Sequence, residues 1–195
     1  MSVDSDRFFI LTGGPGAGKT SLIEALRRRG FAGSVEAGRG VIQHQVAISG
    51  PALHWNDPAL FAELMLSWEM RSYDMARDET DAVFFDRGIP ELTGYLKLMG
   101  LPVPAHMRKA AETFRYNRRV FALPPWREIF GQDAERKQDF AEAVRTFEAV
   151  TGAYRELGYD LVEVPLAPVE ERAEFVLTTA GLGSQAPSPA DHLLP

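Results

Sequence analysis

The sequence contains no cysteine, which excludes disulfide scaffolds, thiol nucleophiles and cysteine-ligated zinc. Lysine is scarce, at Lys19, Lys97, Lys109 and Lys137 alone, and the histidines His44, His54, His106 and His192 fall at no metal-ligand spacing. Positive charge is in deficit: 21 Lys and Arg face 27 Asp and Glu, a formal −6, so a grip on nucleic acid would need a local basic face and none is expected. No apolar run approaches the roughly 20 residues that cross a bilayer. The opening Met-Ser-Val-Asp-Ser-Asp has neither the basic nor the apolar region of a signal peptide. The expectation is a cytoplasmic protein with no membrane span.

What is present, 195 residues with 45% hydrophobic and 25% charged, suits one globular domain over residues 1–180. Short apolar runs closed by turn residues alternate with helical periodicity. Phe8-Phe9-Ile10-Leu11 reads as a strand buried on both faces, followed by a helix over 19–29 that Gly30 stops. Further strands are expected at 33–36, 82–85, 120–123 and 161–164. Helices are expected over 38–48, from Asp57-Pro58 to about residue 78, at 92–99, at 104–116, from Phe140 to Leu157, and after Pro168. This alternation predicts an α/β fold, a doubly wound five-stranded parallel sheet with ligand sites beyond the carboxyl ends of the strands. Residues 124–137 read as a long loop or lid, 181–195 as a flexible tail, and Trp55, Trp68 and Trp126 mainly as packing residues.

Between the first strand and its helix stands Gly13-Gly14-Pro15-Gly16-Ala17-Gly18-Lys19-Thr20, the Walker A pattern G-x-x-x-x-G-K-[ST]. A chain of this composition produces it by chance about 0.3% of the time, so the plain reading as a glycine-rich turn is the weaker one. Glycines let consecutive backbone N–H groups curl around phosphate oxygens, and the helix N-terminus adds positive potential. Residues 13–20 with Ser21 are therefore the candidate nucleotide cradle. Lys19 reaches the terminal phosphates and Thr20 offers its hydroxyl to Mg²⁺.

Asp86 ends an apolar strand, where a carboxylate can hold Mg²⁺ or orient an acceptor hydroxyl; the alternative is a turn cap. Glu36, at the end of the second strand, and Arg39, one turn into the next helix, suit a base and an anion clamp, against a bland reading as helix-start and surface charges. Arg87 joins Arg39 as a candidate for holding the acceptor. Arg127 and Arg136 lie in the lid, from which closure can bring a guanidinium onto the γ-phosphate.

GGPGAGKT at 13–20, VEAGR at 35–39, FFDRGIPE at 84–91, RRVFALPPW at 118–126 and DAERKQ at 133–138 together resemble the small P-loop kinases and predicted ATPases of the NadR-like group. That group is named for a bacterial protein with nicotinamide-riboside kinase activity. The resemblance implies strand order 2-3-1-4-5 and a mobile lid. Most members are known as ATPases only, and some eukaryotic relatives look like GTP-binding proteins with a lipid-linked role. Deoxynucleoside kinases carry Glu-Pro after strand two and Glu-Arg-Ser after strand three, where this chain has Glu36-Ala37 and Asp86-Arg87-Gly88.

Two functions follow as expectations. One is a Mg²⁺- and ATP-dependent kinase acting on a small-molecule acceptor, with Lys19, Glu36, Asp86, Arg127 and Arg136 as catalytic candidates and ATP and Mg²⁺ as cofactors. The other is a nucleotide-controlled switch or ATPase whose bound state governs a protein or lipid partner. The chain lacks the Asn-Lys-x-Asp and Thr-Lys-x-Asp guanine-reading sequences of G proteins, and it is short for a motor ATPase.

Overall fold

The computed structural model describes residues 6–130 and 139–183. Five strands, β1 (Phe8–Gly13), β2 (Ala32–Gly33), β3 (Val83–Asp86), β4 (Arg119–Leu123) and β5 (Asp160–Glu163), form one sheet ordered β2-β3-β1-β4-β5. All neighbours are parallel, with Phe8 opposite Val83, Ile10 opposite Val120, Ala32 opposite Val83 and Arg119 opposite Asp160. Helices α1 (Lys19–Arg28), α2 (Ala37–Ala47), α3 (Pro58–Ala76), α4 (Glu91–Leu98), α5 (Ala105–Thr113), α6 (Phe140–Glu156) and α7 (Val169–Ala180) supply the connections. This is the five-stranded doubly wound class that the sequence predicts, in the strand order that the resemblance implies.

Strand alternation splits the interior into two layers. Phe8, Ile10, Val83, Phe85 and Val120 face one way, against Val41 of α2, Phe61 and Met65 of α3, Leu92 of α4, Met107 of α5 and Tyr154 of α6. Phe9, Leu11, Phe84, Phe121 and Leu123 face the other way, against Leu22 and Leu26 of α1 and Val176 of α7. Each such fully buried side chain contributes about 2 kcal/mol of apolar burial. Tyr73 centres the first layer, meeting Phe8 edge-on at 5.1 Å and donating its hydroxyl to Arg115 O at 2.7 Å.

Two local devices set the elements that carry the site. Asp57 caps α3 by accepting from Leu60 N at 2.9 Å, with Pro58 in the first turn, and Asp139 caps α6 by accepting from Glu142 N at 2.7 Å. The second strand differs from expectation: it covers Ala32–Gly33 rather than 33–36. Ser34 N still donates to Phe84 O at 2.9 Å, but the Ser34 hydroxyl then accepts from Asp86 N at 2.9 Å, a side chain replacing the next rung of the ladder. The chain is thereby free to turn, and Glu36 becomes the N-cap of α2 instead of a strand end. Helix α5 also stops at Thr113, short of residue 116, so that Tyr116 can enter the first core layer. Of the expected lid, residues 124–130 form a non-helical turn, while 131–138, Arg136 included, lie outside the described residues, as do 184–195 of the expected tail.

Candidate active site at the carboxyl ends of the strands

Residues 14–18 link β1 to α1 beyond the edge where β1, β3 and β4 end. Gly16 and Gly18 sit at φ 73° and 80°, backbone that side-chain-bearing residues resist, which is how the loop curls. The cradle is packed tightly from outside: a Cβ on Gly14 would lie 2.4 Å from Ala143 O of α6. Phe130, from the start of the expected lid, covers Gly16 and stacks edge-on with Phe140 at 5.4 Å, and the Arg127 guanidinium lies 4.2 Å over the Phe140 ring. Thr20 and Ser21 are exposed on the first turn of α1.

Lys19 is buried and donates from Nζ to Gly13 O at 3.1 Å and Gly14 O at 3.0 Å. Burial and the neighbouring Arg87 lower its pKa to about 8, against the pull of Asp86, Glu36 and Glu91. Asp86, buried at the end of β3, is raised to about 6 by burial and by Glu36, with Lys19 and Arg87 opposing. Its Oδ1 is buried without a hydrogen-bond partner. An orphaned carboxylate oxygen beside a phosphate cradle fits a magnesium site completed by nucleotide oxygens, with the Thr20 hydroxyl as the other protein group. Among the described residues no cluster of three or more acidic or histidine side chains offers an all-protein metal cage.

Arg87 follows directly, at φ 74°. Its Nε donates to Glu36 Oε1 at 3.4 Å and its Nη1 to Glu91 Oε2 at 2.6 Å. Burial disfavours the cation, but Glu91, Glu36 and Asp86 outweigh it and hold the Arg87 pKa above its ordinary value. Glu91 is itself steadied by the Tyr154 hydroxyl, which donates to Oε1 at 3.2 Å.

Beside this group opens a cavity of about 680 Å³, within the range of small-molecule sites. Pro15 of the loop, Glu36, Arg39, Arg87 and Glu91 line it together with apolar side chains of α3 and α4. Lys19, Glu36, Asp86 and Arg87 thus act on one another electrostatically and Arg39 joins them at the cavity, whereas Arg127 stands apart on Phe140. Trp55, expected to pack, is 59% exposed at the cavity wall, because its ring is held by His54 rather than by the core.

Sequence reasoning missed four residues. Glu91 and Tyr154 act through Arg87, and their pairing spans 63 positions, so no local pattern carries it. Arg172 of α7 is buried and donates from Nη2 to Ala17 O at 2.9 Å, bracing the loop from behind. Glu69 left a readable signal: it falls four residues after Met65 and eight after Phe61, an acid on the apolar stripe of α3.

The chain spans about half the length of the NadR protein that it resembles in structure. NadR solved in complex with NR superimposes with a TM-score of 0.68 at 20% identity, over 93% of this chain and 54% of that one. Deoxyadenosine kinase from M. mycoides, solved with dCMP and dCDP, gives 0.61 at 12% identity over 89% and 98%. Thymidylate kinase from Ehrlichia chaffeensis gives 0.59 at 11% identity over 91% and 100%. No curated protein sequence matches the chain. The fold is that of P-loop phosphotransferases and ATPases, and no helix among the described residues is long and apolar enough to cross a membrane. Residues 8–172 match the AAA domain family, and the chain belongs to that family as a member with the NadR-like, nucleotide-kinase-like P-loop fold.

Proposed function

We propose that the protein binds Mg²⁺·ATP in the 13–20 loop and transfers the γ-phosphoryl group to a small acceptor seated in the adjoining cavity. The observation that carries this reading is the shared wall: Pro15 of the phosphate loop and the acceptor candidates Glu36, Arg39 and Arg87 line one cavity, so donor and acceptor can meet without bulk water between them. The likeness to NadR, solved with NAD and AMP-PNP, and to two nucleoside and nucleotide kinases adds support.

In this reading the Lys19 ammonium leaves the carbonyls of Gly13 and Gly14 for the β- and γ-phosphates, whose charge keeps it protonated. Thr20 and Asp86 would hold a magnesium ion, which would supply charge neutralisation on the phosphates. Arg39 and Arg87 fix the acceptor. Its hydroxyl oxygen bonds to the γ-phosphorus as the bond to the bridging oxygen of ADP breaks, and Glu36 or Asp86 takes the hydroxyl proton. Arg127 would have to leave the Phe140 ring to reach the transferring oxygens, and Arg136 is the other candidate for that role.

The test follows the label of γ-labelled ATP in the presence of Mg²⁺ and pooled nucleosides, nucleotides, vitamins, amino alcohols and sugars. Label in an organic product with wild type, lost with Asp86→Asn, is the expected result. Nucleotide binding with neither transfer nor hydrolysis would replace this reading with a nucleotide-controlled switch, and label solely in inorganic phosphate would leave an ATPase.

A further inference from the structure

One buried carboxylate of the cavity wall takes no part in the phosphoryl-transfer chemistry above or in holding Arg87. Glu69 of α3 is 4% exposed, lines the cavity, and has no hydrogen bond or ion pair among the described residues. The other two deep carboxylates are engaged, since Glu36 and Glu91 both accept from Arg87. Glu69 stands where two parts of the wall meet: the charged group of Glu36, Arg87 and Glu91, and an apolar part with Phe61, Met65 and Tyr95, the Phe61 and Tyr95 rings meeting edge-on at 5.8 Å. Two further wall residues hold polar atoms that are buried without partners, Tyr95 Oη and His54 Nδ1. A buried carboxyl is costly unless something pairs with it, so its presence in a ligand-sized cavity points to a group that the ligand brings.

The charge around Glu69 selects the sign of that group. Glu91, Asp86 and Glu36 all push the Glu69 pKa upward on top of its burial, with Arg87 alone opposing, so it lies well above the usual carboxylate range. An anionic head entering here meets repulsion from every one of those acids. A neutral head leaves the repulsion in place. A protonated amine relieves it and donates N–H groups to the carboxylate, while an apolar or aromatic body can lie along the part of the wall that holds Phe61, Met65 and Tyr95.

We infer that Glu69 makes the cavity selective for a ligand with a protonated amine on an apolar or aromatic body, so that, on the kinase reading above, the acceptor is an amino alcohol. Its hydroxyl would face Asp86 and Arg87, and its ammonium Glu69.

The experiment measures binding alone, on the full chain without nucleotide, by calorimetry with three probes of one shape: 2-phenylethylamine, 2-phenylethanol and 3-phenylpropionate. The amine is expected to bind at least tenfold more tightly than the alcohol, and the carboxylate not measurably. Glu69→Gln, nearly isosteric, is expected to reduce the amine's advantage to under twofold while thermal unfolding stays cooperative. Equal binding of amine and alcohol to wild type overturns the inference whether or not the variant folds, as does a preference that survives in E69Q or an absence of binding by all three probes. The kinase reading stands or falls separately. Amine selectivity with no label transfer to any amino alcohol removes transfer and keeps the site, whereas transfer to an acceptor with no amine does the reverse.

Discussion

The Arg87 guanidinium donates to Glu91 Oε2 at 2.6 Å while its own backbone sits at φ 74°, a conformation that glycine takes readily and arginine does not. Such backbone costs about 1–3 kcal/mol and persists only where surroundings hold it. Here they are Glu91 on one side, Glu36 on the other, and Tyr154 behind Glu91. The strained turn aims an arginine into the cavity directly after the strand that delivers Asp86.

That relationship sets the first expectation. Glu91→Gln keeps the shape and loses the charge, so stability should fall by about 1–3 kcal/mol. The acceptor KM should rise while the ATP KM stays within twofold, since Arg87 serves the cavity and not the loop. Steady-state kinetics in both substrates separates this from general loosening, which would raise both.

Lys19 sets the second. Its pKa of about 8 in the free protein means that charge is lost as pH rises through 8, so ATP binding at pH 9 has to reload a proton. Affinity should weaken by about tenfold between pH 7.5 and 9, the fall expected for one unit above a single titration. Calorimetry in two buffers of different ionisation enthalpy should show about one proton taken up at pH 9. Lys19→Ala should abolish binding at both.

Asp86 sets the third, with opposite signs for stability and activity. Between 3.8, its ordinary value, and about 6, the folded chain binds more protons than the unfolded one, so stability falls as pH rises through that window and the penalty is complete above it. Asp86→Asn should therefore be more stable than wild type at pH 8 by on the order of 2–3 kcal/mol, with the gain shrinking as pH falls through 6. Added Mg²⁺·ATP should raise Tm for wild type and not for the variant. A variant less stable at pH 8 would contradict the burial argument.

The packing of the loop sets the fourth. Gly14→Ala would drive a Cβ to 2.4 Å from a backbone oxygen of α6, an atom held by the helix and unable to swing aside. A loss of about 1–3 kcal/mol is expected from overpacking, read as a lower Tm together with weaker ATP binding.

The part of this site legible in the sequence is the part made by neighbours in the chain. Residues 13–20 cradle phosphate through their own backbone, and Phe84-Phe85-Asp86-Arg87 places a carboxylate and a guanidinium at a strand end by alternation alone, so composition and order reveal both. The expected second strand starts one residue late and ends three residues late because Val35 and Glu36 look strand-like locally, while the Ser34 side chain takes over the ladder position at Asp86 N. Glu91, Tyr154 and Arg172 were not legible, since each matters through a partner on another helix or loop. Glu69 stands between these cases: its place on an apolar stripe is a local fact, but that it meets a cavity instead of the core is settled by how α3 lies against α4.

The central claim is direct passage of the phosphoryl group from ATP in the loop to an acceptor in the cavity. Its sharpest test uses ATP made chiral at the γ-phosphorus with isotopic oxygen and sulfur, with the acceptor that takes the label. A single in-line transfer predicts inversion of configuration in the product. Retention would require two transfers through a phosphorylated side chain, and would contradict the account.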